Sequence, residues 1–170
     1  MASKFIDDKS YKNLEIGAGC GDFGSTYHPK CYLTDGDSDL NSRCKENSVH
    51  HFCQGNKLPW GENRFEIVIM CNPYLYGFKD YEDSVPLLNE IIRVLKNNGK
   101  LIVLGRATNP YCIGYRINET VNKVNIPNVT LIYNEENINS THEYSNYVFK
   151  RMDNSDTIPD KRYTIQIDKV

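Results

Sequence analysis

The chain has 170 residues, of which 39% are hydrophobic and 25% charged, and its formal net charge is −2. A chain of this length buries most of its apolar surface, so we expect a single domain spanning residues 1–170. The small net charge provides no basic surface for nucleic acid or an anionic membrane. No apolar run is long enough to span a bilayer, and the polar residues 1–11 do not resemble a signal peptide, so we expect a cytoplasmic protein.

Short apolar segments alternate with helical or loop stretches, which predicts βαβ units and a parallel sheet. The first strand, Asn13–Ile16, leads into a glycine-rich turn, and only a short or irregular helix fits before the second strand, Cys31–Thr34. Val49–Cys53 is predicted as the third strand. Glu66–Cys71 has the most continuous apolar run and is predicted as a central strand covered on both faces.

The second half of the chain begins with a helix, predicted over Val85–Leu95, because its apolar residues recur at three- and four-residue spacing. Ser84 is a plausible N-cap and Gly99 follows the far end. A fifth strand and a second helix are predicted over Lys100–Gly105 and Tyr111–Val124. Three further segments have strand character, and the pattern does not settle which two form the last hairpin: Val129–Tyr133, Tyr144–Arg151 and Tyr163–Ile167. Residues 35–47 and 153–161 are predicted as surface loops.

The chain has six scattered cysteines without a C-x-x-C pair: Cys20, Cys31, Cys44, Cys53, Cys71 and Cys112. An even number is compatible with disulfides, but most of these residues lie in or beside predicted strands or the glycine turn. The sequence therefore favours buried free thiols. Neither the cysteines nor the histidines show metal-ligand spacing, and no metal is expected.

The turn after the first strand is the first candidate for a ligand site. Glu15 is followed by Gly17, Gly19 and Gly21, and such a turn lets a ligand approach the backbone with no Cβ in the way. Gly19, Gly21 and Gly24 also satisfy the dinucleotide pattern G-x-G-x-x-G, so a nicotinamide-dependent oxidoreductase is an alternative. Glycines after a strand are also ordinary turn formers.

Later motifs distinguish these alternatives. The chain contains Gly-Asn-Lys-Leu-Pro-Trp at 55–60, Phe-Glu-Ile-Val-Ile at 65–69 and Arg-Val-Leu-Lys-Asn-Asn-Gly at 93–99. In this order, the stretch from Leu14 to Gly105 resembles the class I S-adenosylmethionine-dependent methyltransferases. The resemblance implies a Rossmann-like α/β fold: a mostly parallel sheet of about seven strands, an antiparallel C-terminal hairpin and helices on both faces.

The resemblance also implies a set of cofactor-binding residues: Glu15, Gly17, Ala18, Gly19, Gly21, Asp35, Gly55, Asn56, Lys57 and Cys71. Asp35 would accept the ribose hydroxyls, which suits a carboxylate with two acceptor oxygens, although Asp37 is a rival. Asn56 would bind the adenine amino group, with Leu58 or Lys57 beside the base. Ordinary turn or cap roles remain open for Asp35 and Asn56.

Three residues are candidates for the acceptor side of the site and for catalysis: His28, Asn72 and Tyr74. Cys71 and Asn72 would face the sulfonium and the acceptor. Asn72-Pro73-Tyr74 partly resembles the Asn/Asp-Pro-Pro-aromatic motif of methyltransferases that act on exocyclic amines or amides, but the second proline is missing and a simple turn remains open. His28 lies near the glycine turn and is the first candidate for a general base.

The predicted function is transfer of a methyl group from S-adenosylmethionine to a nitrogen or oxygen of a small-molecule or peptidyl acceptor. Nucleic acid and membrane partners are not expected. Few residues precede the first strand and the first helix is short, so the cofactor site is expected to be open, or to be closed by a protein partner, a second copy of the chain or a mobile segment such as residues 1–13. A looser resemblance to methyltransferase-like modules of bacterial polymorphic toxins keeps a catalytically degenerate binding module as an alternative.

Overall fold

The computed structural model describes residues 5–44, 49–150 and 155–170. The strands of the main sheet are β1 (Asn13–Ile16), β2 (Cys31–Asp35), β3 (His51–Phe52), β4 (Phe65–Cys71), β5 (Leu95–Gly105), β6 (Val129–Asn137) and β9 (Lys161–Lys169), and a separate pair is formed by β7 (Phe149–Lys150) and β8 (Asp156–Thr157). The helices are α1 (Phe23–Tyr27), α2 (Leu40–Arg43), α3 (Tyr81–Val94) and α4 (Gly114–Lys123). No helix in these ranges is long and apolar enough to cross a membrane.

The main sheet has seven strands in the order β3-β2-β1-β4-β5-β9-β6. Strands β1 to β5 run parallel to one another, whereas β9 lies antiparallel between β5 and β6. The predicted mostly parallel sheet with an antiparallel C-terminal hairpin is confirmed. The hairpin strands are β6 and β9, which settles the question that the sequence left open.

Alternate side chains of the central strands enter two cores, one on each face of the sheet. The first core lies under α3 and α4 and includes Val68, Met70, Leu88, Leu101, Val103 and Ile117. The second core includes Phe23, Leu33, Ile69, Ile102, Leu104 and Tyr144. The second face is therefore covered by the short helix α1 together with the segment that follows β6.

Helix α3 differs most from its predicted bounds. It begins at Tyr81 after the N-cap position Asp80, so Ser84 is not the N-cap. The Ser84 hydroxyl is instead buried and lies 3.0 Å from the Thr120 hydroxyl of α4. At the other end β5 begins directly at Leu95, and Gly99 lies inside the irregular first part of that strand. Packing of α3 on α4 and on the sheet outweighs the local capping signals.

Other predicted elements shift in length. Strand β3 keeps only the two residues that pair with Thr34 and Asp35 of β2. Within Tyr144–Arg151 only Phe149–Lys150 forms a strand in the described part, because the aromatic residues before it pack on α1; Arg151 lies outside the described residues. The predicted loop 35–47 contains the short helix α2, and 45–47 lie outside the described residues, as do 153 and 154 of the second predicted loop.

Candidate functional site

A cavity of about 850 Å³ opens where β1, β2, β4 and β5 end at the carboxyl edge of the sheet. Ligands of open α/β sheets bind at this edge, and the volume is typical of ligand pockets. Most of the predicted site residues line it: Glu15, Gly17, Ala18, Gly19, Gly21, Asp35, Gly55, Cys71, Asn72 and Tyr74. The fold therefore brings together residues that lie up to sixty positions apart in the chain.

The glycine turn forms one wall and is held to β2 by two backbone donors. The Ala18 amide donates to the Thr34 carbonyl oxygen at 2.8 Å, and the Gly19 amide donates to Asp35 Oδ2 at 2.8 Å. Gly19 has φ of +58°, and no heavy atom lies within 4 Å of the position that a Cβ would occupy. The turn at Gly19 thus leaves open space beside a half-buried stretch of backbone.

Asp35 ends β2 and stands at the rim of the cavity. Its Oδ2 accepts from Gly19, and its Oδ1 accepts the backbone N–H of Asp37 at 2.8 Å. Each carboxylate oxygen has a second lone pair, so Asp35 can accept two more donors while it keeps its position. Asp37 also lines the cavity, so both carboxylates remain candidates for binding the ribose hydroxyls.

Glu15 forms part of the cavity floor and is only 1% exposed. Its Oε2 accepts the Gly24 backbone N–H at 2.6 Å, and its side chain is hydrogen-bonded to Cys71. Burial raises the pKa of Glu15 to about 7, because removal from water penalises the carboxylate more than these donors stabilise it. Burial and the nearby Glu15 charge raise the pKa of the Cys71 thiol above its usual range.

The segment after β4 forms the opposite wall. Asn72 has φ of +45°, and its Oδ1 lies 3.0 Å from Asn109 Nδ2, which is also 3.0 Å from the Pro73 carbonyl oxygen. One amide nitrogen thus donates to two converging oxygen acceptors. Tyr74 is exposed beside them and meets Tyr111 edge-on, with the ring centroids 5.6 Å apart.

Three predicted site residues do not line the cavity. His28 ends α1 and its Nε2 lies 3.1 Å from the Tyr144 hydroxyl, on the side of α1 that packs against the second core. Burial lowers the pKa of this histidine. Asn56 and Lys57 are exposed, and the cavity wall after β3 is formed instead by Cys53, Gln54 and Gly55.

Several residues outside the predicted cofactor-binding and catalytic sets also line the cavity. Tyr76 lies directly against Gly17 and donates its hydroxyl to the Ile16 carbonyl oxygen at 2.9 Å. Arg106 follows β5, and Tyr147 and Phe149 come from the segment between β6 and β9. Arg106 could have been predicted as a site residue, because it directly follows a predicted parallel strand. The sequence around Tyr147 and Phe149 contains no pattern that places them near the glycine turn.

Two cysteines correct the expectation of free thiols. Cys20 of the glycine turn and Cys44, which follows α2, form a disulfide with their Cα atoms 5.5 Å apart. The bond links the wall formed by the glycine turn to the loop that carries Asp35 and Asp37. Cys31, Cys53, Cys71 and Cys112 are free, as predicted. Among the described residues no group of three or more His, Cys, Asp or Glu side chains could hold a metal ion.

Comparison with known proteins adds independent information on the family. Residues 14–103 match the family model described as a methyltransferase domain. The chain is 30% identical over 116 residues to the ubiquinone/menaquinone biosynthesis C-methyltransferase UbiE of Desulfotalea psychrophila, an alignment that covers 61% of this chain and 45% of that protein. The chain thus spans less than half the length of this curated relative.

Solved structures match over almost the whole chain. A protein of Pyrococcus horikoshii gives a TM-score of 0.59 at 14% identity, with 93% of this chain and 82% of that chain covered. The N-methyltransferase NodS of Bradyrhizobium japonicum gives 0.55 at 15% identity, with 94% and 86% covered. At such identities the match concerns the fold, and it agrees with the strand order above. The family model and the sheet order together show that the chain belongs to the class I S-adenosylmethionine-dependent methyltransferases.

Proposed function

We propose that the cavity at the carboxyl edge binds S-adenosylmethionine and that the chain transfers its methyl group to a small-molecule or peptidyl acceptor. One observation carries the proposal. A single cavity joins the open glycine turn and the Asp35 carboxylate on one side to Asn72 on the other, whose Oδ1 and the adjacent Pro73 carbonyl oxygen converge on one nitrogen. When bound, the cofactor supplies an electrophilic methyl group on a sulfonium.

The residues on the cofactor side fit such a molecule. Asp35 offers two acceptor oxygens for vicinal hydroxyls, and the open space at Gly19 admits a ligand against the backbone. Three carboxyl groups line this side, those of Glu15, Asp35 and Asp37, which suits a ligand that carries an ammonium and a sulfonium. Gln54 and Gly55 replace Asn56 as the residues proposed to border the base.

The residues on the acceptor side suit a nitrogen that carries N–H groups. Asn72 Oδ1 and the Pro73 carbonyl oxygen already hold one amide nitrogen, that of Asn109, at 3.0 Å each. An acceptor amine that displaces Asn109 Nδ2 from these two oxygens would be oriented by them, and holding it in line with the methyl group supplies much of the rate. The curated relative is named a C-methyltransferase; in this chain the two oxygens favour nitrogen.

No histidine lines the described wall of the cavity, so His28 is not proposed as a base. In the proposed mechanism, Asn72, Tyr74 and the Pro73 carbonyl oxygen orient the acceptor for attack on the methyl group, and no general base is proposed. The family membership also favours a methyltransferase over a dinucleotide enzyme or a non-enzymatic module.

Isothermal titration with S-adenosylhomocysteine tests the cofactor half of the proposal. The unmodified protein is expected to bind, and Asp35→Ala is expected to weaken binding at least about tenfold, because it removes charged acceptors of the ligand and of Gly19. Asp168→Ala, on the exposed side of β9 and away from the cavity, is the matched control and should bind normally. A flat titration of the unmodified protein would exclude the proposed cofactor site.

Transfer itself is tested with methyl-labelled cofactor and a cell extract separated into small-molecule and protein fractions. Label in either fraction is expected for the unmodified protein and should be lost with Asn72→Ala. Binding of S-adenosylhomocysteine without any labelled product would leave a cofactor-binding protein without methyltransferase activity.

A further inference from the structure

Arg106 is the only basic side chain among the described residues that line the cavity. It directly follows β5, and Asn72 directly follows the neighbouring strand β4. Adjacent strands lie about 5 Å apart, so the Arg106 backbone lies one strand spacing from the proposed acceptor position. Asp35 is the last residue of β2, three strand spacings away, or about 14 Å. Negative and positive groups therefore stand at opposite sides of one cavity.

The guanidinium of Arg106 is incompletely paired within the protein. Nη1 donates to the Ile158 carbonyl oxygen at 3.3 Å, and Nη2 lies 3.7 Å from Asp160 Oδ2, beyond hydrogen-bond distance. The side chain is 43% exposed. A guanidinium has five N–H donors in a planar fork that matches a carboxylate or a phosphate, so most of its donors remain available to a ligand.

Arg106 also lines a second cavity of about 490 Å³. The other residues of this cavity, Val148, Asp156, Thr157 and Ile158, belong to the segment between β6 and β9. The same segment supplies Tyr147 and Phe149 to the main cavity. Arg106 thus stands at the junction of the two cavities, with apolar and aromatic side chains on either side.

We propose that Arg106 binds an anionic group, a carboxylate or a phosphate, on the methyl acceptor, whose apolar body lies against Tyr147 and Phe149. The inference rests on the proposed function, since it names the class of acceptor that the same cavity takes. The anion lies on the main-cavity side of the guanidinium, because Asp156 lines the second cavity and would repel it there. Arg106 fixes the far end of the acceptor while the Asn72 segment holds its reacting nitrogen.

Small probes test this directly. Benzoate and phenyl phosphate, with neutral benzamide as the comparison, are titrated into the protein with and without S-adenosylhomocysteine, and binding is followed by ligand-observed NMR. The unmodified protein is expected to bind at least one anion about tenfold more tightly than benzamide, which is typical of a charge-assisted hydrogen bond at a partly exposed site. Whether benzoate or phenyl phosphate binds more tightly identifies the anion.

Variants separate Arg106 from general charge effects. Arg106→Met should abolish the preference for anions, whereas Lys12→Met removes the same charge at the opposite edge of the sheet and should preserve it. Asp160→Asn removes the competing charge but keeps an oxygen for the Ala107 N–H, which Asp160 accepts at 2.7 Å, and should strengthen anion binding severalfold. Arg106→Met should bind S-adenosylhomocysteine normally, which also shows that it is folded.

The proposal is overturned if anions bind no better than benzamide at millimolar concentration, or if Arg106→Met retains the preference. Failure of S-adenosylhomocysteine to bind the unmodified protein would instead count against the proposed function. The anion preference measured without that ligand still reports on Arg106, so the two failures are distinguishable.

Discussion

Glu15 provides a stability prediction whose size follows from its surroundings. The carboxyl group is 1% exposed, and its pKa is about 7 in the folded protein against 4.5 for the ordinary side chain. Between these two values the folded protein holds the proton more tightly than the unfolded chain. The free energy of unfolding therefore falls as pH rises from 4.5 through 7, by about 3 kcal/mol at 1.36 kcal/mol for each unit of pKa difference.

Glu15→Gln isolates this contribution. The amide keeps an oxygen to accept the Gly24 N–H but carries no charge, so the variant should lack this part of the pH dependence. Urea unfolding at pH 4.5 and pH 8 measures the difference in stability between variant and unmodified protein. We expect the variant to gain about 3 kcal/mol relative to the unmodified protein over this range.

The control is Glu66→Gln, which removes an exposed carboxylate from the central strand β4. Its stability difference should not grow in the same way, because that side chain contacts water in both states. A Glu15→Gln difference that stays constant from pH 4.5 to pH 8 would refute the reasoning, since it would mean that the carboxylate is stabilised as well in the cavity floor as in water.

Three further changes test other features of the site. Replacing Cys20 and Cys44 together by serine should lower the free energy of unfolding by about 3 kcal/mol, because the bond closes a loop with a sequence separation of 24; equal urea midpoints of both proteins under non-reducing conditions would contradict this. Tyr76→Phe should lower it by about 1 kcal/mol through loss of the hydrogen bond to Ile16, and an unchanged midpoint would show that this bond contributes nothing. Gly19→Ala should lower the free energy of unfolding by about 1 kcal/mol in urea unfolding, since the φ of +58° at this position disfavours a side chain. The added methyl group should also weaken S-adenosylhomocysteine binding measured by calorimetry, and normal binding would contradict close approach of the ligand at this residue.

The central sheet could be predicted because its signals are local. Apolar runs such as Glu66–Cys71 mark buried parallel strands, and the glycine turn after β1 is specified by a few adjacent residues. Asp35 was placed correctly at the rim because the carboxyl ends of parallel strands meet at one edge of the sheet. Its role and those of the other lining residues stay predictions that the titrations above examine.

The predicted site residues differ from the cavity lining where tertiary packing decides the outcome. The wall after β3 is formed by Gln54 rather than Asn56, a shift of two residues that depends on how the short strand β3 pairs with β2. His28 lies close to the glycine turn in the chain, but its ring packs beside Tyr144. Closeness to the glycine turn in sequence therefore placed His28 near the cavity, but its side chain lies on the side of α1 that faces Tyr144 and not among the lining residues.

The segment between β6 and β9 shows why the acceptor side was harder to predict than the cofactor side. Its aromatic residues reach α1 across more than a hundred positions: the Tyr147 hydroxyl lies 3.1 Å from Asp22 Oδ1 and accepts the Asp22 backbone N–H at 3.2 Å. Asp22 is the N-cap position of α1 and comes directly after Gly21, the last glycine of the turn that lines the cavity. The segment proposed to contact the acceptor is therefore anchored, through Asp22, on the end of the turn proposed to contact the cofactor.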